Sequence, residues 1–480
     1  MLKYHHSKTK NTMRLKSIFT NSFGILFSRV TGLGRDVLMA SALGASVWSD
    51  MFFVAFKLPN LFRRIFAEGA FTQAFMPSFV ASRQKGVFAT AIFLRFLLFL
   101  GAFSLLVTLF PEPITKALAW GWEWEQIGLT APLTAINFWY LDLIFIVSFL
   151  ATLLQYKEHF ATTAMSTALL NIAMIAALLL YMKEDPAIVA YALSIAVVAG
   201  GILQVAVHLI AVKQFNLQRI LIGGWKYRKQ KNVEEEKKHF NKLFLPSIWG
   251  NSTPQISAFV DTILATFLIS GSVSYLFYAN RVFQLPLAVI AIATATALFP
   301  AISKAIKNQQ EAKAYDNLDK AFWLLAFLLT FSMLGGILLA EPIVWLLFER
   351  GKFTEVQTLE TVSVLQMYMI GLLPFGLAKL FSLFLYATHR HLKAAKISLY
   401  SLITSVTGSL ILMQPMGASG LALAGSIGGW VLFVLTVREV GPDRFYAILW
   451  TKKLLYLLLA TALFALLLLY ISGWLTGLIR

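Results

Sequence analysis

The sequence predicts an all-α polytopic membrane protein, two six-helix lobes with at least one further C-terminal segment, about thirteen spans in all. Three observations carry this. Of 480 residues, 58% are hydrophobic and only 13% charged, and mean hydropathy is +0.71; soluble domains are about a quarter charged. Continuously apolar runs of about 20 residues recur from end to end, which suits membrane helices and not the alternating strands of a barrel. The longest polar stretch, KQFNLQRILIGGWKYRKQKNVEEEKKHFNK at 213–242, falls between the sixth and seventh runs.

In order, the expected spans are 17–43, 48–78, 88–111, 130–156, 160–182, 187–213, 240–268, 275–303, 320–348, 358–386, 393–413, 418–440 and 452–473. With the N-terminus inside, and residues at span ends counted with the adjoining loop, 28 of the 41 Lys and Arg residues lie in inside loops, 5 in outside loops or the C-terminal tail, and 8 in span interiors. That asymmetry predicts a cytoplasmic N-terminus and an external C-terminus. It also explains the net charge of +18 as topology and attraction to anionic lipid, with no nucleic-acid partner. Zero cysteines exclude disulfides and thiolate chemistry.

The basic stretch 1–16 reads as a retained cytoplasmic tail with Met13 an alternative start, because Arg29 and Arg35 break the apolar run after it. The expected organisation is then a first lobe at 17–213, a linker at 214–239, a second lobe at 240–440 and an additional transmembrane segment at 441–480. The linker carries an amphipathic piece suited to a membrane surface. An internal echo supports two lobes. Gly44 precedes Pro59 by fifteen residues, as Gly271 precedes Pro286, and both prolines interrupt the second span of their half.

The basic residues inside spans are Arg29, Arg35, Lys57, Arg63, Arg64, Arg95, Arg281 and Lys379. Each costs about 2.5–3.5 kcal/mol at mid-membrane. Arg95 and Lys379 stand alone and suit snorkelling or a local partner. The first two spans differ, because their charges are patterned. Asp50, Lys57 and Arg64 are seven apart and share a helix face, with Glu68 one turn beyond Arg64. Arg29 and Asp36 repeat the spacing, with Arg35 beside Asp36. Asp36, Asp50, Lys57 and Glu68 are the expected gating or charge-pairing residues. Five cations against three acids in these spans, with Arg281 in the second half, predict a hydrated central cavity with a cationic floor for an anionic guest. Guanidinium forks suit phosphate or pyrophosphate oxygens.

The stretch SRVTGLGRDVLMASALGASVWSDMFFVAFKLPNLFRRIFAEGAFTQAFMP at 28–77 closely resembles the MurJ/MviN family of bacterial lipid II flippases. The likeness continues through LLNIAMI at 169–175, FYANRVFQLPLAVIAIATATALFPAISK at 277–304 and LLFERGKFT at 346–354. It implies the fold of the multidrug/oligosaccharidyl-lipid/polysaccharide exporters, two six-helix lobes facing across a cavity. It further implies lipid II as cargo, moved outward across the bacterial cytoplasmic membrane, with membrane lipids and cell-wall synthesis proteins as partners. By that resemblance Arg29, Arg35 and Arg281 approach the pyrophosphate, Arg63 and Arg64 shape the entry, and Asp50 gates or pairs.

Departures stand out. By that resemblance, Asn280 stands where many relatives carry Asp, and Gln284 where some carry an acid. Asp261 matches one position of a cation site found in some relatives, but span eleven offers only Ser405 and Ser409, so no metal is assigned. The family usually has two final spans that form a groove for the lipid tail, where this chain has one.

The expected mechanism is alternating access driven by membrane potential or an ion gradient, without cofactor; the sequence shows no nucleotide-binding P-loop. Two other readings stay open: export of another polyprenyl-linked oligosaccharide, or an enzyme acting on polyprenyl phosphates. The enzyme wants clustered carboxylates, a metal or a nucleophile–base pair. The scattered intramembrane acids, and the His389–His391 pair without further ligands, argue against it.

Overall fold

In the computed structural model, residues 23–24, 26–67, 70–229, 232–388 and 390–479 are described, without the side chains of 64–67, 249–255, 476 and 478–479. Among them the chain is helical, with no strand. Its helices are α1 (26–43), α2 (Val47–Ala67), α3 (Ala70–Ala81), α4 (Lys85–Leu109), α5 (Pro111–Leu118), α6 (Trp124–Tyr156), α7 (Ala161–Tyr181) and α8 (Pro186–Gln214). They continue as α9 (Gln218–Tyr227), α10 (Glu234–Ala265), α11 (Ser272–Pro286), α12 (Ala293–Lys307), α13 (Glu311–Leu338) and α14 (Ala340–Phe348). The last are α15 (Glu355–Ile370), α16 (Leu372–Ala387), α17 (His391–Val440), α18 (Pro442–Leu449) and α19 (Lys452–Ile479).

Nine described helical segments are long and apolar enough to cross a membrane. The thirteen expected spans exceed these by four: α1, the pair α2–α3, α10, and a second crossing within α17. α1 and α2 carry the charges that the sequence concentrates there, and of α10 the apolar stretch described with its side chains is Ile256–Ala265. The fourth follows from Gly417, whose φ of 59° and ψ of −135° break α17. Around it the two arms run antiparallel: Gly420 lies against Leu412, Gly408 against Ala424, and Gly428 against Ser405. Ser401 Oγ donates to the Gly428 carbonyl at 2.7 Å. Small residues let the backbones approach, as membrane helix pairs require.

The chain packs as two units. Unit 1 comprises residues up to Leu43 and Met51–Gln255; unit 2 comprises Gly44–Asp50 and Ile256–Arg480. The core of unit 1 is an aromatic ladder. Phe71, Phe75 and Phe79 are four apart on α3, so they line one face. They interlock with Phe88 of α4, Phe145 and Phe149 of α6, and Phe240 and Phe244 of α10. Most of these ring pairs meet edge to face, the arrangement the ring quadrupole favours. Glycines bring α8 close to its neighbours: Gly200 touches Leu170 of α7 and Gly201 touches Tyr140 of α6. The linker residues 214–239 pack with this unit through α9 and the start of α10.

In unit 2 the expected interruption at Pro286 is a change of helix type. α11 ends there, a π-helical turn spans Leu287–Ile292, and α12 resumes at Ala293. Proline lacks the N–H that would continue the α ladder, and a π turn absorbs the mismatch. The other interrupting proline, Pro59, lies inside α2, whose helical hydrogen bonding continues around it.

Candidate functional site

The intramembrane charges fall into three groups. In the first, on α1, Arg35 and Asp36 are both buried. Arg35 donates from Nε and Nη2 to Asp36 Oδ1 at 2.9 and 2.6 Å, and from Nη1 to Asn171 Oδ1 at 3.0 Å. Asn171 in turn donates to the Ser28 carbonyl at 3.0 Å and to Thr31 Oγ1 at 3.3 Å. One amide on α7 thus ties two turns of α1, and the buried guanidinium is matched by a carboxylate rather than left as bare charge. Asp36 pairs with its neighbour Arg35, while Arg29, seven residues before it, is exposed.

The second group opens α2. The buried Asp50 carboxylate accepts from the Gly271 amide at 2.7 Å, the Ser274 amide at 2.8 Å and the Ser274 hydroxyl at 2.5 Å. Gly271 is the N-cap of α11, so Asp50 caps a helix far away in sequence. Free amides and the positive end of the dipole both favour a carboxylate there. Beside it Ser49 Oγ meets Ser274 Oγ at 2.8 Å. Gln357 of α15 grips the Ala45 backbone from both sides, accepting from its amide at 2.9 Å and donating to its carbonyl at 3.1 Å. The two glycines of the sequence echo explain the fit. Gly44 (φ 63°) and Gly271 (φ 95°) both have left-handed backbones. An added Cβ at Gly44 would meet the Lys352 carbonyl at 2.5 Å, and one at Gly271 the Ala45 carbonyl at 2.8 Å. Asp50 therefore serves as a helix cap, and the shared face with Lys57 makes no Asp50–Lys57 ion pair.

Farther along α2, Arg63 is half-buried and donates from Nε to Asn60 Oδ1 at 3.1 Å. The Arg64 side chain and Glu68 lie outside the described residues, and with them the expected Arg64–Glu68 pair. His389 lies outside them too.

The third group is in unit 2. Arg281 is half-buried on α11, its guanidinium 5.0 Å from the Phe277 ring centroid. One turn away, the Gln284 amide donates to the Asn280 amide oxygen. Asn280 also hydrogen-bonds Tyr368, which lies close to Asp261. Ser409 Oγ reaches Asp261 Oδ1 at 3.4 Å. One carboxylate among hydroxyls and amides is a sparse donor set for a cation, and among the described residues no group of three or more His, Cys, Asp or Glu gathers. Arg95 finds its local partner in Asn241 of α10 at 3.2 Å, and Lys379 is exposed.

Three of these partners escape a reading by charge alone. Asn171 had a signal, as the one amide in the apolar helix α7. Gln357 had another, since Thr354 and Gln357 form a capping box at the start of α15. Ser274 had none.

The family model described as "Lipid II flippase MurJ" matches residues 39–478. A "Probable lipid II flippase MurJ" of Helicobacter pylori (strain ATCC 700392 / 26695) is 49% identical over 452 residues, covering 92% of this chain and 98% of that protein. One of the same description from Buchnera aphidicola subsp. Acyrthosiphon pisum is 31% identical, covering 93% and 88%. Among solved structures, "Lipid II flippase MurJ, inward closed conformation" superposes with a TM-score of 0.78 at 26% identity, covering 96% of this chain and 99% of that one. An inward-facing multidrug resistance MATE family transporter of the MOP superfamily shares the fold, with a TM-score of 0.71 at 15% identity and coverage of 90% and 98%.

Proposed function

Because this chain belongs to the lipid II flippase MurJ family, a family of transporters and not enzymes, we propose that it moves lipid II from the inner to the outer leaflet of the bacterial cytoplasmic membrane. The observation that carries the reading is the family match from residue 39 to residue 478, which includes both proline-bearing helices and Arg281. The cargo joins an undecaprenyl pyrophosphate to a disaccharide-pentapeptide. Its charged head cannot cross hydrocarbon unaided, and its prenyl tail can stay in lipid throughout. Arg29, Arg63 and Arg281, exposed or half-buried, are the cations that meet the pyrophosphate, together with Arg64. Arg35, committed to Asp36 and Asn171, acts by holding α1 on α7.

Transport proceeds by alternating access: the lobes rock about the loaded site, and binding energy is spent on shifting one conformation toward the other. Membrane potential drives it, one elementary charge across 100 mV being worth about 2.3 kcal/mol. In this reading the N-terminus lies in the cytoplasm and the C-terminus outside, which the excess of Lys and Arg in the inside loops supports.

The test is leaflet accessibility of lipid II in cells depleted of this protein, complemented with the native chain or with Arg29→Ala. Depletion should trap lipid II inside, and native protein should restore export where Arg29→Ala does so poorly. Unchanged lipid II export on depletion, in cells shown to hold no second flippase, would transfer the assignment to another polyprenyl-linked sugar.

A further inference from the structure

The linker helix α9 presents a face that is exposed among the described residues. It follows α8 directly and seats on the first turn of α4: an added Cβ at Gly224 would meet the Gly86 carbonyl at 2.1 Å. α8 and α4 are both long and apolar enough to cross a membrane, so the end of one and the start of the other place α9 where the bilayer stops. Its inner face is Leu217, Ile220, Leu221 and Gly224. On the outer face of α9, Arg219, Ile222, Trp225 and Lys226 follow helical spacing, with Lys229 just beyond its end, and all are exposed. Ile222 keeps 66% of its surface and Trp225 52%, a pair of apolar side chains side by side on the exposed face.

The charges on this face share one sign. Residues 213–229 contain no Asp or Glu. The Arg228 guanidinium stacks 3.6 Å from the Trp225 ring centroid, and Lys226 lies over Tyr227 at 5.6 Å. Cations laid against exposed aromatic rings beside an aliphatic side chain match an anionic headgroup layer, with apolar contact below and phosphate above.

We propose that α9 is a membrane-surface anchor that binds anionic phospholipid of the adjacent leaflet, with Ile222 and Trp225 inserted at the headgroup boundary and Arg219, Lys226, Arg228 and Lys229 engaging lipid phosphates. The anchor is independent of which cargo the protein carries.

The chain has no cysteine, so Ile222→Cys gives a unique site for an environment-sensitive fluorophore on the full-length protein. The labelled chain is placed in nanodiscs of phosphatidylcholine alone, or with about one-third phosphatidylglycerol, and probed with the neutral quencher acrylamide. The expected result is blue-shifted emission and several-fold weaker quenching in the anionic discs. At about fivefold in partition for each basic residue, replacing all four with Gln should abolish the difference. These side chains are exposed, so the replacements leave the fold intact, checked by an unchanged melting profile. Equal quenching in both discs would overturn the proposal. So would equal protection in both that survives the four replacements, or protection that appears only with added cytosolic protein.

Discussion

Replacing Asp50 tests whether the start of α2 is held as a helix cap or as a charge pair. Asp50 accepts three hydrogen bonds, from the Gly271 amide, the Ser274 amide and the Ser274 hydroxyl, at 2.7, 2.8 and 2.5 Å. A hydrogen bond to a charged group contributes about 1.5–3 kcal/mol, and a buried donor left unmade costs about 1–3. Water entering the space recovers part of that, so Asp50→Ala should cost about 4 kcal/mol. Asp50→Asn keeps one acceptor oxygen but turns an NH₂ toward donors, for about 2 kcal/mol. Ser274→Ala loses the hydroxyl bond and the Ser49 contact at 2.8 Å but keeps both amides, for about 1–2 kcal/mol. At about 2–4 °C per kcal/mol for a unit of a few hundred residues, the Ala variant should melt roughly 10 °C lower. Intrinsic tryptophan fluorescence in detergent, at one scan rate, reads this. The Asp50→Ala and Ser274→Ala effects should also be less than additive, because they share a bond. If Asp50→Asn melts with the native protein, or Asp50→Ala costs no more than Ser274→Ala, the capping argument fails. Were Asp50 merely a counter-charge, Lys57→Gln would rescue Asp50→Asn; the geometry predicts no rescue.

Three further outcomes follow from packing. Asn171→Leu strands an Arg35 donor and removes the ties to the Ser28 carbonyl and the Thr31 hydroxyl, and should cost about 2 kcal/mol; a melting point within a degree of native would refute its role as tie. Phe71→Ala empties the centre of the aromatic ladder, where Phe71 meets Phe75, Phe96, Phe145, Phe240 and Phe244, and should cost about 3–5 kcal/mol; Phe71→Leu should lose less than half as much. Gly224→Leu cannot seat on Gly86, so α9 should lift and the 214–233 segment become protease-sensitive in detergent; an unchanged digestion pattern would show that the seat does not hold it.

Composition and periodicity alone determined that this protein is helical and crosses the membrane many times. These follow from local physics: each apolar run must satisfy its own backbone in lipid, wherever its neighbours lie. The fifteen-residue echo from Gly44 to Pro59 and from Gly271 to Pro286 was also visible, because glycine and proline act on their own backbone. The roles of the charges were not. Helical spacing put Arg29 and Asp36 on one face and Asp50 and Lys57 on another, yet Asp36 takes Arg35 and Asp50 caps α11. A heptad says which residues share a face and nothing about what that face meets. Asp50 reaches across 221 and 224 positions of sequence to Gly271 and Ser274, and Arg35 across 136 to Asn171. In a buried site a charge settles on the donors or acceptors that tertiary packing brings within 3 Å, since leaving it bare costs more than any local pairing preference is worth.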